Sequence, residues 1–146
     1  MEARELIEIA CLVRASERGG DAFVADLTAA VRDQRAAVEA YQVSGAIGQS
    51  VGGQSFWGVI ETDLHFHATI LSHVDNSFLT LMANALQGQQ HRVRQSTEKG
   101  ISDAVDALRE HEAIVAAVKT KKLDVIEAAM RDHLDRVAHR AEDAAA

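Results

Sequence analysis

The sequence predicts an all-α protein built from long helices. Proline is absent from its 146 residues, and alanine, leucine, valine, glutamate and arginine are abundant, which favours uninterrupted helices over strands and turns. Apolar residues also recur at the helical period of about 3.6 residues in successive segments. At this length we expect one domain, residues 1–146, that buries about 68–70% of its unfolded surface without covalent cross-links.

Charge, hydropathy and cysteine content exclude several classes of protein. A formal charge of -7 and the lack of a dense lysine and arginine face argue against direct nucleic-acid binding. No run approaches about 18 apolar residues, and residues 1–5 lack the features of a signal peptide. Cys11 cannot form an internal disulfide, and its apolar neighbours predict core packing. We therefore expect a cytoplasmic protein without a membrane partner.

Two helices are predicted before residue 43. The first covers residues 2–18 and ends at Gly19 and Gly20, because glycine is a common helix stop. Asp21 is the expected N-cap of the second, which runs to about Gln42 and is interpreted as an ordinary core helix. The residues expected to face the core are Leu6, Ile9, Ala10 and Val13 in the first helix, and Phe23, Leu27, Val31, Val38 and Tyr41 in the second.

Residues 43–54 (VSGAIGQSVGGQ) have the composition of a loop. Glycine and serine supply the conformational freedom that connectors need, so we interpret this stretch as a connector. Because it leads directly into the helix that carries the candidate site, a lid over that site is the alternative hypothesis.

The helix predicted for residues 56–74 places two polar side chains on its apolar face. Asp63 and His67 lie on the face whose other members are Phe56, Ile60, Ile70 or Leu71, and Val74. Leaving a buried polar group without a partner costs roughly 2–7 kcal/mol, so we expect compensating groups inside. At about 100° per residue, His65 and His73 point away from this face.

A fourth helix is expected from Asp75 or Asn76, as N-cap, to about Lys99. Its inner face becomes polar in the second half, so Gln90 and Arg94 are candidates to line a cavity, where arginine would match a carboxylate. The alternative is that the helix leaves the core there and these groups are solvated. The face consists of Leu79, Met82, Leu86, Gln89 or Gln90, and Val93.

The last two predicted helices each carry one inward histidine. Ser102 is the expected N-cap of the fifth, which ends near Lys119, and the sixth runs from Leu123 to about Glu142. Their inner faces consist of Ala104, Leu108, His111, Val115 and Val118, and of Ile126, Met130, His133 and Val137. The same spacing predicts that His91 and His139 are solvated.

Three inward histidines and one inward aspartate form a candidate metal site. Asp63 and His67 are neighbours on one helix face because they are four residues apart. Bundle packing can direct His111 and His133 into the same space. Neutral imidazoles and a carboxylate suit a divalent transition metal; zinc is our first expectation, and nickel, manganese and iron remain open.

Four short motifs resemble the FCD domain, the ligand-binding C-terminal domain of FadR-type regulators in the GntR family. The likeness covers roughly residues 2–140, and the motifs together are more specific than any one of them. The matching segments are residues 63–67 (DLHFH, for D-x-x-F-H), 76–79 (NSFL, for N-x-x-L), 111–114 (HEAI, for H-x-x-I) and 130–134 (MRDHL, for M-x-x-H-L).

The resemblance implies an antiparallel bundle of about six or seven helices around a metal and ligand pocket. In the metal-binding members, the motif positions that match Asp63, His67, His111 and His133 hold the ion. Such domains usually sense a small organic acid, form homodimers and control a winged helix-turn-helix domain that binds operator DNA. We expect that DNA-binding domain to be absent from this chain, so DNA binding is expected only through the absent domain. Residues 43–54 are longer than the usual connector, which leaves pocket access and effector size open.

We expect a sensor rather than an enzyme, with two alternatives. A metal-dependent enzyme would need a general base, but Glu61 and Glu112 lie off the inward faces, and no nucleophile and base pair or nucleotide-binding motif is evident. A dimerisation module with a purely structural metal is the other alternative.

Overall fold

The computed structural model describes residues 2–46, 54–96 and 101–146, and it describes no side chains at 44–46, 54–56, 88–96 and 144. Within these residues all regular secondary structure is helical, as predicted. The helices are α1 (Glu2–Ala46), α2 (Gln54–Ser72), α3 (Ser77–Ser96), α4 (Ile101–Thr120) and α5 (Leu123–Ala145).

The expected count of six or seven helices is not confirmed within the described residues. The first two predicted helices form one element, α1, with a kink at Gly20 (φ 54°, ψ −144°). This backbone conformation favours glycine, which explains why the predicted break lies there. The start of α4 at Ile101 places Ser102 inside the helix rather than at the predicted N-cap.

Helix α1 packs against each of the other four helices, and α4 packs against α5 and α2. The core lies between α1, α2, α4 and α5. Fully burying each of its large apolar side chains contributes about 1.5–3 kcal/mol. The largest of them are Leu12, Phe23, Leu27, Phe66, Ile114, Ile126, Met130 and Leu134.

The predicted inner face of the first half of α1 is wrong in part, although Ile9 packs against the core as expected. Leu6 is 68% exposed, whereas Glu8, Cys11, Leu12 and Ala15 are buried. The face of α1 that contacts the neighbouring helices is therefore not its most apolar face. The buried Glu8 was not predicted, because the prediction considered only apolar residues. Core packing of Cys11 is confirmed. In the second half of α1 the predicted Phe23, Leu27, Val31 and Val38 are buried, and Tyr41 is partly buried.

Helix α3 begins at a confirmed N-cap but exposes part of its predicted inner face. The backbone N–H groups of Phe78 and Leu79 each donate to Asn76 Oδ1 at 3.1 Å. Met82 is 43% exposed, and Ala83 is buried instead. Because α3 packs mainly against α1, only a narrow face of it is covered.

Most of the predicted inner faces of α4 and α5 are confirmed, whereas Ala104 and Val137 are only partly buried. The buried residues include Leu108, His111, Val115 and Val118 on α4, and Ile126, Met130 and His133 on α5. His65 and His139 are exposed as predicted, and His73 is partly buried with Nε2 2.8 Å from Asp26 Oδ2. None of the helices in the described residues combines the length and apolar character needed to cross a bilayer.

Candidate metal centre

Three buried histidines from three helices converge in the core. His67 comes from α2, His111 from α4 and His133 from α5. Their ring centroids are 5.1 Å apart for His67 and His111, 5.7 Å for His67 and His133, and 4.9 Å for His111 and His133. One ring nitrogen from each lies within 4.8 Å of the others. The structure therefore brings together the three histidines that the sequence analysis selected.

Asp63 faces the same space from one turn earlier on α2. It is 6% exposed, and its Oδ1 lies 3.9 Å from Nε2 of His111. The phenyl ring of Phe66 covers one face of His111, with centroids 3.9 Å apart and planes 10° apart. In the sequence, Phe66 is part of the D-x-x-F-H motif, and its contact with His111 was not predicted.

The imidazole of His111 forms a hydrogen bond with Gln34 of α1. The Nδ1 of His111 is 2.7 Å from Gln34 Oε1, and Gln34 is only 1% exposed. With Nδ1 as the donor, Nε2 is the nitrogen left for a metal. Helical spacing could have predicted the buried position of Gln34, since it lies on the same helix face as Val31 and Val38. The interpretation of this part of α1 as an ordinary core helix is therefore incomplete, because it also contacts the histidine cluster.

Nδ1 of His133 contacts the carboxylate of a buried ion pair between Glu110 and Arg140, which helical spacing did not predict. This Nδ1 is 2.7 Å from Glu110 Oε2. Arg140 donates to both oxygens of Glu110, from Nη1 at 2.5 Å and from Nη2 at 2.9 Å. Burial raises the pKa of Glu110, but hydrogen bonds and charges from Arg140 and His133 outweigh it, so the pKa is lowered overall. The general-base candidates Glu61 and Glu112 do not contact His133, and the buried glutamate that does is Glu110.

A cavity of about 10 Å³ borders the cluster, which is the space of about one water molecule. The expected pocket for an organic acid is therefore not confirmed. Glu8 lies in its wall, is 4% exposed and accepts a hydrogen bond from Arg4 Nε at 2.7 Å. Burial, and secondarily the charge of Glu8, raise the pKa of Cys11 to about 11. The cavity is lined by Glu8, Cys11, His67, Ile70, Leu71, Ala83, Gln87 and Met130.

Several predicted features lie outside what the structure describes. Gln90 and Arg94 are residues of α3 whose side chains fall in the undescribed part. Residues 47–53 of the connector are undescribed too, so the lid hypothesis has no structural counterpart. Glu61 is exposed, and Glu112 forms an ion pair with Arg35, so neither carboxylate belongs to the buried cluster.

The donor set and its surroundings fit a divalent metal ion. Nε2 of His133 is buried and has no hydrogen-bond partner within the described residues. Since Nδ1 lies against the carboxylate of Glu110, Nδ1 is the donor, and in the neutral imidazole Nε2 presents a lone pair. A metal ion would satisfy this nitrogen, whose burial without a partner is otherwise unfavourable.

The described residues thus form an all-helical fold with a buried imidazole cluster that could hold a metal ion. The sequence profile of the FCD domain matches residues 1–136, and this chain belongs to the FCD domain family. FCD domains are the C-terminal, ligand-sensing regulatory domains of GntR-family transcription regulators, not enzymes. A search of curated proteins found no match to this chain.

Proposed function

We propose that this FCD domain binds a divalent metal ion through Asp63, His67, His111 and His133, and that the ion takes part in sensing a small organic acid. The observation that carries the proposal is the convergence of three buried imidazoles from three helices. Zinc is the first candidate because it prefers imidazole and carboxylate ligands in compact sites, and nickel, manganese or iron suit the same donors.

Four protein ligands leave one or two positions on a five- or six-coordinate ion, and the acid would bind there. A carboxylate can replace a metal-bound water, and a cavity lies beside His67. This cavity holds about one water molecule, so an effector that occupied it would need outward movement of its walls. We assign Arg94 and Gln90 as further contacts, with the guanidinium of Arg94 pairing the remaining negative charge.

The response would be transmitted through the packing of the helices. The ligands belong to α2, α4 and α5, so an effector that alters their relative positions can bias the domain between two arrangements. In our proposal the domain acts as a homodimer in the cytoplasm. Operator DNA would be bound by a winged helix-turn-helix domain and not by this FCD domain.

Elemental analysis of purified protein tests the metal site. We expect about one transition-metal ion per chain in the wild type and none in the double variant His67→Ala/His133→Ala. The control is His65→Ala/His139→Ala, which changes two exposed histidines and should retain the metal. Full occupancy in the first double variant would refute the ligand assignment.

A thermal-shift screen of small carboxylates on the metal-loaded protein tests the sensor. A ligand present at about 100 times its Kd stabilises the folded state by about 2.7 kcal/mol. Stabilisation by particular acids supports sensing. A flat response across the screen favours a purely structural metal in a dimerisation module.

A further inference from the structure

The ion pair between Glu110 and Arg140 contacts the proposed ligand His133 but contains none of the four proposed ligands. We propose that Glu110 and Arg140 are positioning residues that fix the tautomer and ring orientation of His133, so that Nε2 is presented to the metal. This inference rests on the proposed metal site. It concerns two residues that need no contact with the ion.

The first step is the choice of tautomer. An ionised carboxylate only accepts hydrogen bonds, so Nδ1 of His133, 2.7 Å from Glu110 Oε2, must be the donor. In the neutral imidazole the other nitrogen, Nε2, then carries the lone pair. It is buried without a hydrogen-bond partner in the described part of the chain. Carboxylate, imidazole and metal in this order are a common arrangement in metal sites, where the carboxylate also makes the imidazole a better ligand.

The second step is the placement of the carboxylate itself. The two side-chain nitrogens of Arg140 contact the two oxygens of Glu110, which fixes the carboxylate in two directions. Glu110 is 7% exposed, and a buried charge without a partner would be costly. Arg140 thus keeps Glu110 ionised and oriented inside the protein.

His111 provides a comparison within the same cluster. Its Nδ1 is paired with the neutral amide of Gln34 instead of a carboxylate. Both histidines therefore use Nδ1 for this hydrogen bond, but the Nδ1 partner of His133 carries a negative charge. Removing that charge should weaken the metal site while all proposed ligands stay in place.

Zn²⁺ affinity measured by competition with a chromophoric chelator tests this role. We expect Glu110→Gln to weaken Zn²⁺ binding by about 10–100-fold and Arg140→Gln by about tenfold. The matched control is Arg136→Gln, which is on the same helix and pairs with Asp132 at the surface; its affinity should equal that of the wild type. The visible spectrum of the Co²⁺ form should change in Glu110→Gln and not in Arg136→Gln.

Nitrogen NMR of the imidazoles in metal-free protein tests the tautomer independently. We expect His133, assigned from a His133→Gln variant, to carry its proton on Nδ1. A proton on Nε2, or wild-type Zn²⁺ affinity in both Glu110→Gln and Arg140→Gln, would overturn the positioning role. If the wild type binds no Zn²⁺ at all, the proposed metal site itself is refuted. If the wild type binds Zn²⁺ and both Glu110→Gln and Arg140→Gln bind it equally well, only the positioning role is refuted. Circular dichroism of each variant separates weaker binding from loss of the fold.

Discussion

The imidazole of His111 lies parallel to the phenyl ring of Phe66, with ring centroids 3.9 Å apart. Both rings are fully buried, and Phe66 precedes the proposed ligand His67 by one residue. One helix, α2, thus supplies a candidate ligand and the surface that orients a ligand from another helix. The polar cluster and the apolar core are consequently one packed unit.

Phe66→Ala should destabilise the protein by about 3–5 kcal/mol, because it removes a fully buried aromatic ring and leaves a cavity. Urea denaturation of the metal-free protein measures this change. The matched control is Phe78→Ala: Phe78 is 76% exposed, and its loss should change the free energy of unfolding by less than about 0.5 kcal/mol. Equal effects of the two substitutions would contradict the core position of Phe66.

Arg4→Met should destabilise the protein by about 3–5 kcal/mol, because it leaves the buried carboxylate of Glu8 without its charged partner. The double variant Arg4→Met/Glu8→Leu should recover most of this loss, since no buried charge remains. Urea denaturation again provides the measurement. Arg18→Met breaks an exposed pair with Asp75 and should cost at most about 1 kcal/mol. No recovery in the double variant would argue against a buried ion pair.

Cys11 should react slowly with iodoacetamide at pH 8 in the folded protein and rapidly in urea. The side chain is 2% exposed, and its pKa is raised from 9.0 to about 11, so little of the reactive thiolate forms. The folded-state pKa lies above the unfolded one, so this group stabilises the fold below about pH 9 and the contribution is lost as pH rises through about 11. Equal alkylation rates with and without urea would contradict the buried position.

Lowering the pH should weaken Zn²⁺ binding, because the proposed ligands must lose their protons before they bind the metal. Isothermal titration calorimetry in buffers of different ionisation enthalpy should also detect proton release on binding. His139→Ala should show the same pH dependence as the wild type, since His139 is exposed. An affinity that is independent of pH would argue against histidine ligation.

Asn76→Ala should lower the free energy of unfolding by about 1 kcal/mol, because the N–H groups at the start of α3 lose the acceptor Asn76 Oδ1. Chemical denaturation of the metal-free protein measures this. Asn76→Asp keeps an acceptor oxygen and should retain most of the stability. A loss in Asn76→Asp as large as in Asn76→Ala would contradict the capping role.

The sequence analysis succeeded where the information is local. Spacing along each helix placed Asp63, His67, His111 and His133 on inward faces, because the angle between residues of one helix depends only on their separation in the chain. Composition likewise predicted helices, and Asn76 was recognised by its residue type. The convergence of three histidines from separate helices was expected from bundle packing rather than derived from spacing.

The tertiary structure decided which groups support these histidines. Gln34 and His111 are 77 positions apart, and Arg140 and Glu110 are 30 apart, so no periodicity within one helix relates them. The rotation of α1 and the exposed side of α3 depend on neighbouring helices, which is why the expectations for Leu6 and Met82 were wrong.

By itself, therefore, the sequence determined the helical class, the FCD motifs and the inward direction of the four candidate ligands. Only the tertiary structure decided which residues contact the histidines: Gln34 contacts His111, and Glu110, paired with Arg140, contacts His133. It also decided that Glu8 is buried. The physical reason is that helical periodicity is a property of one segment, whereas a hydrogen-bond partner is selected by the packing of several segments.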